Sequence, residues 1–303
     1  MKPLNIPVGI SDFSEIRKNG YYYVDKSFLI RELLKIPGTQ VTLITRPRRF
    51  GKTLGMSMLA SFFDIRKDSK ESFQDLEIST CTDLCRTWQN QYPTIFISFR
   101  RVDGLTFSEA SYMLSTVISE LYQEHSYLLD SPAFNAYDKN TFSKIASGIT
   151  NPLELKDSLF FLTRMMQKHY GKPVILLIDE YDVPLAKANE LGYYDEMVRL
   201  IRGIFGSALK TNHNLYFAVL TGCLRVAKES IFTGVNNFNT FTITDVDFDE
   251  YFGFTDAEVK EMLEEYQLGS SYEDVREWYD GYRFGNVDVY CPWDVINYVF
   301  DLI

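Results

Sequence analysis

Cysteine is scarce. The four residues Cys81, Cys85, Cys223 and Cys291 are too scattered to form a disulfide framework. Cys81 and Cys85 lie four apart and would share a helical face, but no further Cys or His lies near them, so no zinc site is expected there. Positive charge is also short: 31 Lys and Arg against 41 Asp and Glu give a formal charge of -10. That balance argues against a protein that coats nucleic acid, because neutralising phosphates requires clustered cations. No stretch approaches the ~18 uninterrupted apolar residues of a membrane-spanning helix, and the opening Met1-Lys2-Pro3-Leu4-Asn5-Ile6-Pro7 lacks the apolar run of a signal peptide. Repeats and low-complexity tracts are missing as well. A reducing cytoplasm, with no membrane partner, is the expected setting.

What is present is ordinary in bulk. The chain has 303 residues, 46% of them hydrophobic and 24% charged, which is enough for a sizeable core. Five short apolar or β-branched runs read as strands: Val41 to Thr45, Thr94 to Phe99, Val174 to Ile178, Leu215 to Leu220, and Thr240 to Ile243. Amphipathic stretches separate them, among them Phe28 to Leu34 (with Ser27 as its cap), Thr53 to Phe63, Phe107 to Tyr122, Leu153 to Tyr170 and Tyr194 to Leu209. Leu128 to Asn151 reads as irregular or as short helices. Strands alternating with helices predict right-handed crossovers and a parallel sheet covered on both faces. The expected fold is α/β, a P-loop NTPase three-layer sandwich with a five-stranded, mostly parallel sheet followed by a small helical lid. The expected domains are an N-terminal extension over 1–40, the core over 41–250 and the lid over 251–303. Within the lid, Thr255-Asp256-Ala257-Glu258 is a capping pattern for a helix over Val259 to Tyr266. The run ending at Asp301-Leu302-Ile303 stops within a helix-like stretch, so a longer parent protein is expected.

Immediately after the first strand comes Arg46-Pro47-Arg48-Arg49-Phe50-Gly51-Lys52-Thr53. A strand, a loop ending Gly-Lys-Thr and then a helix make a phosphate cradle, in which backbone N–H groups wrap the phosphates and the helix aims its positive end at them. Arg48, Arg49, Phe50, Gly51, Lys52, Thr53 and Leu54 are the candidate nucleotide contacts. Lys52 would reach the β- and γ-phosphates, and Thr53 would ligate magnesium (Mg2+). The usual pattern has glycine where this chain has Arg46, and Pro47 biases Arg46 to an extended backbone, so the entry turn must differ. The third strand ends in Asp179-Glu180. Asp179 is a magnesium candidate and Glu180 a candidate base for the attacking water; a plain helix-capping acidic pair is the alternative. Thr221, ending the fourth strand, would sense the γ-phosphate or simply satisfy a turn. Arg225 would lend charge to the transition state or form a surface ion pair. Arg199 and Arg202 suit a solvated helix face better than a neighbouring subunit's nucleotide. For Asp25 and Lys26, capping is favoured over contact with the base or ribose.

The order of these motifs resembles the AAA-ATPase-like proteins of gut bacteria, related to archaeal and STAND-type P-loop ATPases. The matching stretches are Pro7 to Phe13, Tyr21 to Lys26, Arg46 to Thr53, Leu177 to Asp182, Leu220 to Phe238, and Trp278 to Tyr282. The resemblance implies that Arg46 in place of glycine is a family habit, compatible with nucleotide binding. It also implies a C-terminal restriction-endonuclease-like domain that this chain does not reach, so no nuclease chemistry is expected here. The expected function is a magnesium-dependent ATPase module coupled to conformational switching. An ATP-gated switch or scaffold with little turnover, serving a nuclease-like effector, is the alternative, and a small-molecule kinase ranks lower. Expected partners are ATP, a second copy in a homo-oligomer, and an unidentified protein or nucleic acid.

Overall fold

Five short strands organise the core, the first four rich in apolar and β-branched residues and the fifth mixed: β1 (Val41–Thr45), β2 (Thr94–Ser98), β3 (Val174–Asp179), β4 (Leu215–Gly222) and β5 (Phe238–Phe241). The structure is a computed structural model that describes residues 5–36, 40–148, 152–223, 231–232, 238–279 and 281–303. All five strands pair in parallel, in the order β2-β3-β4-β1-β5. Parallel crossovers lay helices on both faces, so both faces must be apolar. The side chains of β3 divide with the period of two that a strand imposes. Val174, Leu176 and Ile178 enter one core with helices Phe107–Glu124, Ser158–Tyr170 and Tyr194–Leu209, while Ile175 and Leu177 enter the other with Phe28–Lys35 and Lys52–Phe63. The result is the expected three-layer α/β sandwich.

Local readings shift where tertiary contacts intervene. The strand expected at Thr240 to Ile243 lies two residues earlier, at Phe238–Phe241, where β1 provides its partner register. The helix expected from Leu153 to Tyr170 divides into Pro152–Leu155 and Ser158–Tyr170. The run Gly171-Lys172-Pro173 is a helix-stop signal in the sequence, and Gly171, left-handed at φ 68°, ends the helix there. Within Leu128 to Asn151 a full helix forms at Ala136–Ala146, started by the Asn135 side chain, which accepts from the Asp138 amide. Ser27 does not cap its own helix through its side chain. Its hydroxyl instead accepts from the Ile78 amide, and Asp25 accepts from the amides of Ser27 and Glu77. Pro37 and Gly38, residue types that end a helix, follow that helix in sequence and lie outside the described residues.

The helix Lys52–Phe63 is sheathed on nearly every side. The first forty residues supply part of the sheath: the Phe13 amide donates to Ser57 Oγ at 3.0 Å, and the Phe13 side chain is fully buried. After residue 250 the helices Asp256–Glu265, Tyr272–Tyr279 and Pro292–Leu302 surround a small apolar cluster of Val259, Leu263, Val275, Val295 and Val299. The Thr255–Glu258 capping box forms as its spacing suggested. To these helices the structure adds an antiparallel sheet of β6 (Phe254–Thr255), β7 (Tyr282–Phe284) and β8 (Val287–Tyr290), in the order β6-β8-β7. Strands of two to four residues carry too little alternation to be read in isolation. Among the described residues, no helix is long and apolar enough to cross a membrane.

The two ends of the chain meet at Lys26. Its ammonium donates to both carboxylate oxygens of Glu258, at 2.6 and 2.7 Å, and to the Glu250 carbonyl at 2.6 Å. Burial lowers the Lys26 pKa, and the Glu258 carboxylate opposes that shift. Replacing Glu258 by Ala is therefore expected to leave a partly buried cation without its carboxylate and to remove the capping box together. The loss of stability, read from urea unfolding, should be about 2–3 kcal/mol.

Candidate functional site

The C-terminal ends of β1, β4 and β3 lie side by side, with Ile44 opposite Thr221, Thr45 opposite Gly222, and Ile178 opposite Leu220. From β1 the chain crosses toward β2, whereas from β4 it crosses past β1 to β5, so the crevice between β1 and β4 is a topological switch point. Ligands of open α/β sheets bind in such crevices. The loop after β1 closes this end. The Arg46 amide extends the ladder by donating to Gly222 O at 3.1 Å. Arg49 (φ 70°) and Gly51 (φ 78°) are both left-handed, and helix Lys52–Phe63 begins at the next residue. Glycine takes this conformation freely. Arg49 takes it at a cost in strain, as residues at functional turns do. Such turns gather successive backbone N–H groups ahead of a helix N-terminus, which favours an anion.

Below the loop sits Asp179, with no exposed surface. Its Oδ2 accepts from Thr53 Oγ1 at 2.8 Å and its Oδ1 from Thr221 Oγ1 at 2.6 Å. Residues 53, 179 and 221, separated by up to 168 positions, thus share one polar cluster. Lys52 is also buried, and its ammonium donates to the carbonyls of Arg46 (2.9 Å) and Pro47 (2.6 Å). An ammonium has three N–H bonds, and among the described residues these two carbonyls are its hydrogen-bond acceptors. Glu180 is half-buried with a left-handed backbone, φ 53°. Burial, followed by the charge of Asp179, raises its pKa above the usual carboxylate value, with Arg100 and Lys52 opposing.

The remaining expected contacts divide. Arg48 and Arg49 are exposed, Leu54 is partly buried against the core, and Phe50 is 1% exposed. The Phe50 ring packs with Phe284, Val289 and Cys291 of the C-terminal unit, so only its backbone is left for a phosphate. Arg225 lies outside the described residues. Arg199 and Arg202 both lie exposed on their helix. Asp25 and Lys26 are engaged in the contacts described above. A cleft of about 980 Å³ between helix Phe28–Lys35 and β5 shares none of the site residues.

Two groups near the site carry no local signal in the sequence. Arg100 follows β2, and only the pairing of Ser98 with Asp179 brings it within electrostatic reach of Glu180. Asp182 Oδ2 accepts from the Cys223 amide at 2.9 Å, which ties the segment after β3 to the end of β4. Gly222 permits that approach: a Cβ there would come within 2.6 Å of Asp182 Oδ1 and of the Tyr181 ring.

Residues 7–232, which include the whole loop and the acidic strand end, match the family described as predicted AAA-ATPase. The chain belongs to this family. Nucleotide binding is what that membership implies, and the family region contains every site residue described above. An uncharacterized protein in the vnfD 5′ region of Azotobacter chroococcum mcd 1 is 27% identical over 298 residues. The alignment covers 98% of this chain and 52% of that protein, so the chain spans about half the length of this relative.

Thr221→Val keeps the shape and removes one donor to a fully buried carboxylate. Hydrogen bonds to charged groups contribute about 1.5–3 kcal/mol, and chemical unfolding should show a loss in that range.

Proposed function

We propose that this AAA-ATPase family member is a cytoplasmic module that binds ATP with magnesium and hydrolyses it. The observation that carries this reading is the buried carboxylate of Asp179, bonded to Thr53 from the loop helix and to Thr221 from β4. The donor set suits the ligand. A left-handed loop at a helix N-terminus, with an adjacent ammonium, accommodates a polyphosphate. One hydroxyl with one carboxylate suits magnesium, a cation that keeps several waters and takes few protein ligands. Backbone groups from Arg48 to Leu54 would hold the phosphates, Lys52 would offset their charge, and Thr53 and Asp179 would hold the metal. Bound magnesium would supply charge neutralisation across the phosphates.

Glu180 is the proposed base. Its raised pKa moves it toward the range in which a carboxylate accepts a proton effectively, and the strained backbone fixes its side chain at the strand end. Thr221 would report on the terminal phosphate through Asp179, and Arg225 remains the proposed source of transition-state charge. The packing of Phe50 against the C-terminal unit favours a second reading, an ATP-gated switch with slow turnover. We keep the division into extension, core and lid as part of this proposal, with the lid now including the small sheet.

Lys52→Ala should abolish measurable ATP binding in calorimetry; an unchanged affinity would sink both readings. Glu180→Gln should retain ATP binding and lower turnover by about 10²–10⁴-fold, whereas negligible wild-type turnover with tight binding would support the switch. Because Glu180 must be deprotonated to act and its folded pKa is raised, activity should fall as pH drops through a value above the ordinary glutamate range. Glu180→Gln should remove that acid limb from the pH–rate profile.

A further inference from the structure

Arg46 is among the largest side chains that are completely buried. Its Nη1 donates to Thr45 O at 2.9 Å and to Phe241 O at 3.3 Å, and its Nη2 donates to Phe248 O at 2.9 Å. The guanidinium also lies near the rings of Phe252 (5.5 Å) and Phe284 (5.2 Å), the latter in β7 of the C-terminal unit. Phe248 is left-handed at φ 64° where its carbonyl meets the guanidinium. Burial depresses the Arg46 pKa to about 10, with Asp245 and Asp249 opposing. A planar fork that satisfies several carbonyls at once cannot be reproduced by an ammonium.

Arg46 is also the first residue of the phosphate loop. Its own carbonyl and that of Pro47 hold the Lys52 ammonium. Three residues on, the C-terminal unit grips the loop again. The Phe50 ring lies 4.8 Å from Tyr282 and 5.1 Å from Phe284, the Arg49 guanidinium stands 5.0 Å from Trp293, and Gly253 leaves room for Phe50 at the closest approach. Both ends of the loop therefore bear on one residue, Phe284.

We propose that Arg46 is a positioning residue through which the C-terminal unit, by way of Phe284, sets the geometry of the phosphate loop and of Lys52. The inference rests on the ATPase reading for its consequence in turnover, but not for the mechanical coupling. Loss of the guanidinium frees the Arg46–Pro47 peptide that holds Lys52. Loss of the Phe284 ring loosens the same peptide from outside the nucleotide site.

The test uses the full chain with Arg46→Gly, Arg46→Lys, Phe284→Leu and the double variant Arg46→Gly/Phe284→Leu. Phe284→Leu keeps the position apolar, so the C-terminal unit should stay folded; Phe284→Val serves if it does not. Displacement of catalytic groups by about 1 Å costs up to about 10²-fold. Arg46→Gly and Phe284→Leu should therefore each weaken magnesium-ATP binding or slow turnover by about ten-fold. The double variant should be no worse than the more impaired single variant, because coupled residues are non-additive. Arg46→Lys should fail to restore function. Amide hydrogen exchange at residues 48–51, measured without nucleotide, should quicken in all of these variants while β3 stays protected.

Two results would overturn the proposal: Phe284→Leu with affinity, turnover and loop exchange all within about two-fold of wild type, or multiplicative effects in the double variant. Wild-type affinity in Arg46→Lys would overturn the role given to the guanidinium. If the unaltered protein binds no ATP, the ATPase reading fails by itself, and loop exchange alone then decides the coupling.

Discussion

A carboxylate with no access to water must find its partners inside the protein, and for Asp179 both partners are threonine hydroxyls delivered by other elements. That requirement ties three parts of the fold together. The apolar β3 carries Asp179 to the end of the sheet, the helix after β1 brings Thr53, and β4 brings Thr221. The site exists only because β1, β4 and β3 are adjacent and end at the same level. A slip in any of these registers would leave a buried charge without its hydroxyls, which is costlier than losing an apolar contact.

Around this hub the loop is held from two directions. The core side offers Gly222, whose carbonyl receives the Arg46 amide and whose missing side chain admits Asp182 and Tyr181. The C-terminal unit offers Phe252, Phe284 and the pocket for Phe50. Lys26 and Glu258 pull the N-terminal segment onto the same unit through a partly buried ion pair. The phosphate loop thus lies between the parallel sheet and a smaller unit with its own apolar cluster.

Much of this was legible in the chain. The first four strands of the parallel sheet announced themselves as compact apolar or β-branched runs, because a parallel strand buried on both faces needs no polar alternation, whereas β5 is only partly buried and lies two residues before the run that suggested it. The loop and Asp179-Glu180 were legible because their chemistry depends on residues adjacent in sequence. The capping box at Thr255 and the stop at Gly171 were legible for the same reason. The small sheet of the C-terminal unit was not, since its strands are stabilised by pairing with one another and carry little pattern of their own.

Local chemistry in the sequence determined the fold class, the order of the strands along the chain and the candidate residues for phosphate and metal. Tertiary structure alone decided how those residues meet. It made Thr221 a partner of Asp179, set Arg100 near Glu180, and turned Arg46, an anomaly in the loop pattern, into a buried anchor reaching Phe241 and Phe248, 195 and 202 residues away. Hydrogen bonds and ring contacts of that range have no signature along a chain, because the partners become neighbours only once the sheet order and the packing of the C-terminal unit are fixed.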